Sequence, residues 1–230
     1  MAEEEKPQTM LYWGSGSPQC WRLQIALLEK KQDNVPQKLV SFNKGEHKSP
    51  QVLALNARGQ VPAFILEGVS INDSVAACFY LESQFKYQGT QLIPDEPAKQ
   101  AMVYQKTFEA LFMYQKMEDY LFYDWRIPKL EQRNTAQERN IMSLREELKL
   151  WEMYLEKMTR HKYLTGRIFT LADVVMFTNI AFCFRFGLKP KKFPNLFDYY
   201  NRLKERSSIE ASWPPHWKEN PPTMDKMKYI

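Results

Sequence analysis

Near residue 95 the hydrophobic period of the chain changes, and this limits the available folds more than any other feature of the sequence. Before that point, short runs with strand character alternate with runs of helical period. Residues 9–13 are apolar and are followed by Gly14 and Gly16, residues 37–43 alternate, and 61–67 and 69–72 flank Gly68 as a hairpin. Between these runs, Trp21, Ile25 and Leu28 recur at three- to four-residue spacing from Pro18. A short helix fits 49–56, with Ser49 as its cap and Pro50 in its first turn, and a third helix fits 74–85 behind Asp73. Past residue 97 the alternation is gone. Helical patterns cover 98–125, 135–159, 170–185 and 195–206, and both Thr135–Glu138 and Thr170–Asp173 have the spacing of a capping box.

The first stretch therefore reads β-α-β-α-β-β-α. Strands joined through a helix lie parallel by a right-handed crossover, and the final hairpin adds an antiparallel edge. That is the arrangement of a thioredoxin-like domain. The expected fold class is α/β followed by all-α: an N-terminal extension over 1–8, a thioredoxin-like domain over 9–85, a linker over 86–97 carrying Gly89, Pro94 and Pro97, and an all-helical domain over 98–213. The tail, 214–230, holds four prolines and is expected to cross the surface as an irregular segment.

Several function classes are excluded early. No run of 18 apolar residues is present, so no membrane association is expected. The start, MAEEEKPQT, is acidic where a secretory signal needs basic residues. Three scattered cysteines, Cys20, Cys78 and Cys183, make no disulfide framework, which points to a reducing, cytoplasmic compartment. The net charge of +5 is spread along the chain, which argues against a nucleic-acid partner. His47, His161 and His216 lack ligand spacing, so no metal is expected, and no phosphate-cradling or hydrolase motif occurs.

Four weaker signals remain. Ser17-Pro18-Gln19-Cys20 opens the first helix, where a thioredoxin-like fold presents its reactive cysteine pair. With serine in the exposed position, dithiol exchange is excluded, but a hydroxyl beside a helix N-terminus donates well to another molecule's thiolate. In Gln60-Val61-Pro62 the Val-Pro bond has the setting of a cis peptide before a strand, which would turn the Val61 backbone outward for an extended peptide. Asn72-Asp73-Ser74 begins a helix and suits an α-amino acid, Ser74 for the carboxylate and Asp73 for the ammonium. His47 and Lys48 could hold a second carboxylate. Each signal taken alone is an ordinary cap, loop or surface. Together they describe a site for a small thiol peptide, glutathione.

At this point the chain resembles the cytosolic glutathione transferases over residues 9–217, through LYWGSGSPQCWRLQIAL, GEHKSPQVLALNARGQVPAF, NDSVAACFYLE and FTLADVVMF. Its wording is most like the rho class, akin to the serine-type classes. The resemblance implies a homodimer that conjugates the glutathione thiolate to hydrophobic electrophiles in detoxification, with glutathione as co-substrate and no cofactor. It implies Ser17 as the thiol-activating residue, with Ser15 and Tyr12 as nearby alternatives. It further implies His47 and Lys48 near the glycyl carboxylate, Gln60, Val61 and Pro62 beside the cysteinyl unit, and Asp73 and Ser74 at the γ-glutamyl head. Asp73 departs from the usual glutamate and is one methylene shorter. A hydrophobic pocket would draw on Trp13 and Gly14 on one side and on Tyr114, Met117 and Phe122 on the other. Thr170 and Asp173 match a structural capping box. Two rivals stand: a non-catalytic binder of glutathione or apolar ligands, and a reductase using Cys20.

Overall fold

The computed structural model describes residues 7–158, 163–220 and 225–230. Residues 1–6 of the expected extension, His161, and 221–224 of the tail lie outside the described residues. The chain divides into two compact units, Met1–Leu92 with Ser207–Glu219, and Ile93–Arg206 with Asn220–Ile230.

The first unit runs β1 (Met10–Trp13), α1 (Pro18–Glu29), β2 (Gln37–Leu39), a 3-10 turn (Glu46–Lys48), α2 (Pro50–Leu55), β3 (Ala63–Leu66), β4 (Val69–Ile71) and α3 (Ser74–Gln84). Its sheet has the order β2-β1-β3-β4, with β1 parallel to β2 and antiparallel to β3, and β3 antiparallel to β4. β3 is buried along its whole length, as a central strand reading AFIL should be. Side chains alternate across the sheet. Tyr12, Ala63 and Ile65 pack with Val52 and Leu55 of α2 on one face, and α1 packs on α3. The hairpin turns through Glu67 and Gly68, both at positive φ, the conformation a two-residue hairpin loop demands. Lys30 and Glu82 form an ion pair of 2.7 Å with side chains 0% and 7% exposed. The lysine also donates to the Thr90 carbonyl, and the glutamate accepts from the Leu92 amide, so one buried pair ties α1, α3 and the start of the linker together.

The second unit is helical: α4 (Pro97–Leu121), α5 (Tyr123–Arg126), α6 (Asn134–Glu156), α7 (Leu171–Arg185) and α8 (Pro194–Lys204). α7 is buried on every side from Leu171 to Cys183 and packs against α4 and α8, the place taken by a helix that is apolar all round. Its capping box is formed. Thr170 and Asp173 bond reciprocally, and the Asp173 carboxylate also accepts from the Leu164 amide at 2.9 Å and the Tyr199 hydroxyl at 2.7 Å. The box expected at Thr135–Glu138 is not formed. α6 starts at Asn134 with Arg133 in the cap position, and the Arg133 amide is taken by the Tyr123 hydroxyl at 2.9 Å. The end of the chain is not irregular either. Lys226–Tyr229 is a 3-10 turn whose Met227 is fully buried, with its amide bonded to the Phe186 carbonyl.

Residues 207–219, read from the sequence partly as helical domain and partly as tail, form α9 (Ser207–Ala211) and α10 (Pro215–Glu219) and group with the first unit. Ser208 donates to the Glu29 carboxylate, and the Trp21 indole donates to Ser212 Oγ at 2.9 Å. Trp213 and Trp217 meet Trp21 edge-to-face at 5.1 and 5.5 Å.

Candidate active site

The strand directions gather the sequence signals at one end of the sheet. With β2 parallel to β1, β3 antiparallel to β1 and β4 antiparallel to β3, the segments after β1, after β2, before β3 and after β4 all emerge from the same end. Those segments carry Ser17, then His47 and Lys48, then Gln60, Val61 and Pro62, then Asp73 and Ser74.

After β1 the chain makes a turn over Gly14–Ser17, closed by the Ser17 amide on the Gly14 carbonyl at 3.2 Å, with Gly16 at φ +80°. Gly14 donates its amide to Cys20 Sγ at 3.3 Å, and a Cβ on Gly14 would lie 2.3 Å from the Phe42 ring, so a larger residue there would push that ring aside. Ser17 caps α1: its Oγ accepts from the Cys20 amide at 3.3 Å and donates to Gln19 Oε1 at 3.1 Å. The Ser15 hydroxyl sits 2.6 Å from His216 Nδ1. Tyr12, the third hydroxyl considered, is buried among Val40, Val52 and Leu55 in the core. The Cys20 thiol is fully buried, and burial pushes it up to about 11 against the opposing effects of the Gly14 amide, Ser17 and Arg22.

Before β3, the Val61–Pro62 bond is cis. Pro62 is buried, Val61 packs partly against the core, and Gln60 is exposed. Asn56 organises this loop, donating to the Gln60 carbonyl at 2.8 Å and accepting from the Arg58 amide at 3.1 Å. Lys48 crosses Gly59 to reach the Arg58 carbonyl at 2.9 Å. A Cβ on Gly59, itself at φ +57°, would come 2.6 Å from the Lys48 side chain. His47 leans on Phe42 with ring centres 5.4 Å apart, and its Nδ1 is buried with no hydrogen-bond partner among the described residues. After β4, Asp73 caps α3, one carboxylate oxygen accepting from the Val75 and Ala76 amides at 2.9 and 2.8 Å. Ser74 is buried, with the guanidinium of buried Arg22 at 3.5 Å from its hydroxyl. A buried cation and a helix N-terminus thus stand together behind Ser74, an arrangement that favours an anion. Among the described residues, no cluster of histidine, cysteine and carboxylate side chains could hold a metal, and no helix is long and apolar enough to cross a membrane.

Residues 16–84 match the pattern of the glutathione S-transferase N-terminal domain, and residues 100–207 match that of the C-terminal domain. Over 225 residues the chain is 52% identical to "Glutathione S-transferase A" of Pleuronectes platessa, covering 98% of this chain and 99% of that one. The chain belongs to the glutathione S-transferase family. A solved glutathione S-transferase from the Antarctic clam Laternula elliptica superposes with a TM-score of 0.85 at 35% identity, over 97% of this transferase and 100% of the clam chain. A transferase from Methylobacillus flagellatus, solved with glutathione bound, shares the fold at 22% identity and a TM-score of 0.76, over 90% of this chain and 99% of its own.

The remaining expected positions divide between the units. Trp13 ends β1, half-buried, beside Gly14. Tyr114, Met117 and Phe122 belong to the helical unit of the transferase. Tyr114 donates to Glu118 at 2.9 Å, and Phe122 rests against Phe182 at 6.3 Å. Met117 does not line an open surface: it is 0% exposed and touches Cys183 Sγ at 3.5 Å, because methionine at helical spacing readily fills a core. Three contributors were missed in the sequence. Arg22 carried a signal, being a charge in an otherwise apolar helical run. Phe42 and His216 carried none, since their importance comes from neighbours 28 and 201 residues away in Gly14 and Ser15.

Proposed function

We propose that this protein is a glutathione transferase that conjugates the glutathione thiolate to hydrophobic electrophiles, and that it works as a serine-type enzyme of the rho class. The observation that carries the reading is the Ser17 hydroxyl at the N-terminus of α1, at the same sheet end as Val61–Pro62 and Asp73–Ser74. Ser74 receives the γ-glutamyl carboxylate with Arg22 behind it, and Asp73 receives the ammonium through the oxygen not used for capping. The Val61 backbone pairs with the cysteinyl unit beside Gln60 and Pro62. His47 and Lys48 take the glycyl carboxylate, which satisfies the unpartnered Nδ1 of His47.

A free thiol of this kind has a pKa near 8.5, so only about 3% is thiolate at pH 7. Lowering it by about two units needs about 2.7 kcal/mol of preferential anion stabilisation. A hydroxyl donor and a helix N-terminus together reach that scale. The Ser17 hydroxyl leaves Gln19 and donates to the sulfur. The thiol proton passes to solvent, and the thiolate attacks the electrophilic carbon; the leaving group departs with its electron pair, or, on an activated double bond, the resulting carbanion takes a proton from solvent. Ser17 keeps its proton throughout. Glutathione is consumed as co-substrate, with no cofactor in the reaction. The protein acts in the cytoplasm as a homodimer, with no nucleic-acid or membrane partner, and its role is detoxification. In the first unit, Trp13 and Gly14 are the residues assigned to the electrophile.

A non-catalytic binder is the alternative. A reductase acting through Cys20 is disfavoured because that thiol is buried and held far above neutrality. Retention on immobilised glutathione followed by turnover of chlorodinitrobenzene tests the proposal. Retention without turnover favours the binder, and absence of both rejects the glutathione site.

A further inference from the structure

The second hydroxyl of the Gly14–Ser17 turn has a partner from the far end of the chain. Ser15 Oγ lies 2.6 Å from Nδ1 of His216 on α10, the hydroxyl or the imidazole N–H donating according to the tautomer. The same segment also rests on the turn's backbone. A Cβ on Gly16 would come 2.6 Å from His216 Cε1 and 2.9 Å from Trp217 Nε1. α10 is in turn anchored to α1, through Trp213 and Trp217 on Trp21 and through the Trp21 indole on Ser212. Phe42 against Gly14, Cys20 Sγ on the Gly14 amide and His216 on Ser15 therefore hold the turn at three points. Ser17 closes that turn through its own amide.

We infer that His216 is a positioning residue for the transferase reaction: through the Ser15 hydroxyl it fixes the turn that aims Ser17 at the glutathione sulfur. This rests on the reading of Ser17 given above. A hydroxyl stabilises a thiolate only within hydrogen-bond distance and direction, and donors held in advance stabilise developing charge best. Loosening the turn weakens the bond to sulfur while leaving in place the head-group pocket at the start of α3, which has Arg22 of α1 behind Ser74. The C-terminal segment thereby becomes part of thiol activation, although it lies outside every motif that points to glutathione.

The test compares His216→Ala, Ser15→Ala, their double variant and His216→Asn by the thiolate absorbance of bound glutathione against pH, with kcat and KM from chlorodinitrobenzene conjugation. Each alanine variant raises the apparent thiol pKa and lowers kcat at neutral pH by about 3- to 10-fold, the scale of one net hydrogen bond. KM for glutathione stays within about twofold, since uniform binding is untouched. The double variant is no worse than either single one, because both delete the same contact. His216→Asn, whose side-chain amide can occupy the Nδ1 position, recovers most of the loss. Ser15→Ala leaves the packing of α10 intact and carries the same test if His216→Ala folds poorly. An unmoved thiol titration in both single variants, or an additive double variant, overturns the inference while wild-type turnover leaves the functional reading standing. A wild-type protein that neither binds nor conjugates glutathione overturns both.

Discussion

The Ser17 hydroxyl accepts from the Cys20 amide and donates to Gln19, so it acts as a helix cap and as a donor at once. These two roles have different sizes. Removing a hydrogen bond to a charged acceptor costs roughly 1.5–3 kcal/mol. Ser17→Ala should therefore lower turnover at neutral pH about 10- to 150-fold. The lost cap should cost only about 1 kcal/mol of stability. The bound thiol should titrate closer to its free value, so raising the pH should restore part of the rate. Thiolate absorbance of the bound glutathione measures this directly, and a titration that does not move would transfer the role to another hydroxyl. Asp73 has the same double character, since it caps α3 with one oxygen. Two variants separate its roles. Asp73→Asn keeps a good cap and should leave stability near wild type, whereas Asp73→Ala should lose about 1 kcal/mol. Both should raise KM for glutathione with kcat nearly unchanged, because the ammonium contact is made equally in ground and transition states. A hundredfold fall in kcat with KM intact would contradict that assignment.

At the scale of elements, the start of α7 is fixed by a buried network around one carboxylate. The Asp173 carboxylate accepts from the Thr170 amide and hydroxyl, the Leu164 amide and the Tyr199 hydroxyl, all buried. Burial pushes its pKa upward while each of these bonds pulls it down, with burial the larger effect. Tyr199→Phe should destabilise by roughly 1.5–3 kcal/mol, as the loss of a bond to a charged group. Asp173→Ala should cost more, because it orphans two buried amides and a phenol at about 1–3 kcal/mol each. Denaturant midpoints at constant slope give both numbers. An Asp173→Ala protein within half of the Tyr199→Phe loss would mean that the orphaned donors find water. α6 shows the limit of the same rule. Its Thr135–Glu138 spacing is right for a capping box, yet the cap falls two residues earlier, at Arg133, whose amide bonds to the Tyr123 hydroxyl.

At the scale of the whole molecule, the proposed homodimer calls for an exposed apolar surface, and α4 carries one. Met102, Phe108 and Phe112 of α4 are 45%, 49% and 65% exposed. Large aromatic side chains left in water on one helix are characteristic of interaction surfaces. The protein should sediment at micromolar concentration with twice its chain mass of 27.4 kDa. Phe112→Glu, which would place a charge in that surface, should shift it toward the monomer. A wild-type mass of one chain would remove the homodimer. The first unit also reaches across the sequence, taking in α9 and α10 more than a hundred residues after α3.

The sequence by itself determined the kind and order of the strands and of the main helices up to residue 206, and much of the candidate site, because these depend on short-range chemistry. Period-two and period-3.6 runs select strand and helix, crossover handedness orders the parallel strands, and Ser17, Asp73 and Thr170 act on amides within four residues of themselves. The gathering of Ser17, His47, Val61 and Ser74 at one end of the sheet follows from strand directions that the element order already implies. What only the tertiary structure decided is which buried surface meets which. A helical period says that a helix has a buried side, and it does not say against what. Residues 207–213 could thus be placed only at the end of the helical domain and 214–219 only in an irregular tail, and neither stretch could be read as a partner of α1. Tyr12 and Ser17 are both hydroxyl residues near the same loop, and only packing against Val52 and Leu55 draws Tyr12 inward. The Lys30–Glu82 pair and the Ser15–His216 bond join residues 52 and 201 positions apart. No local rule connects such distances, because the free energy of each contact exists only once the rest of the chain has brought its two ends together.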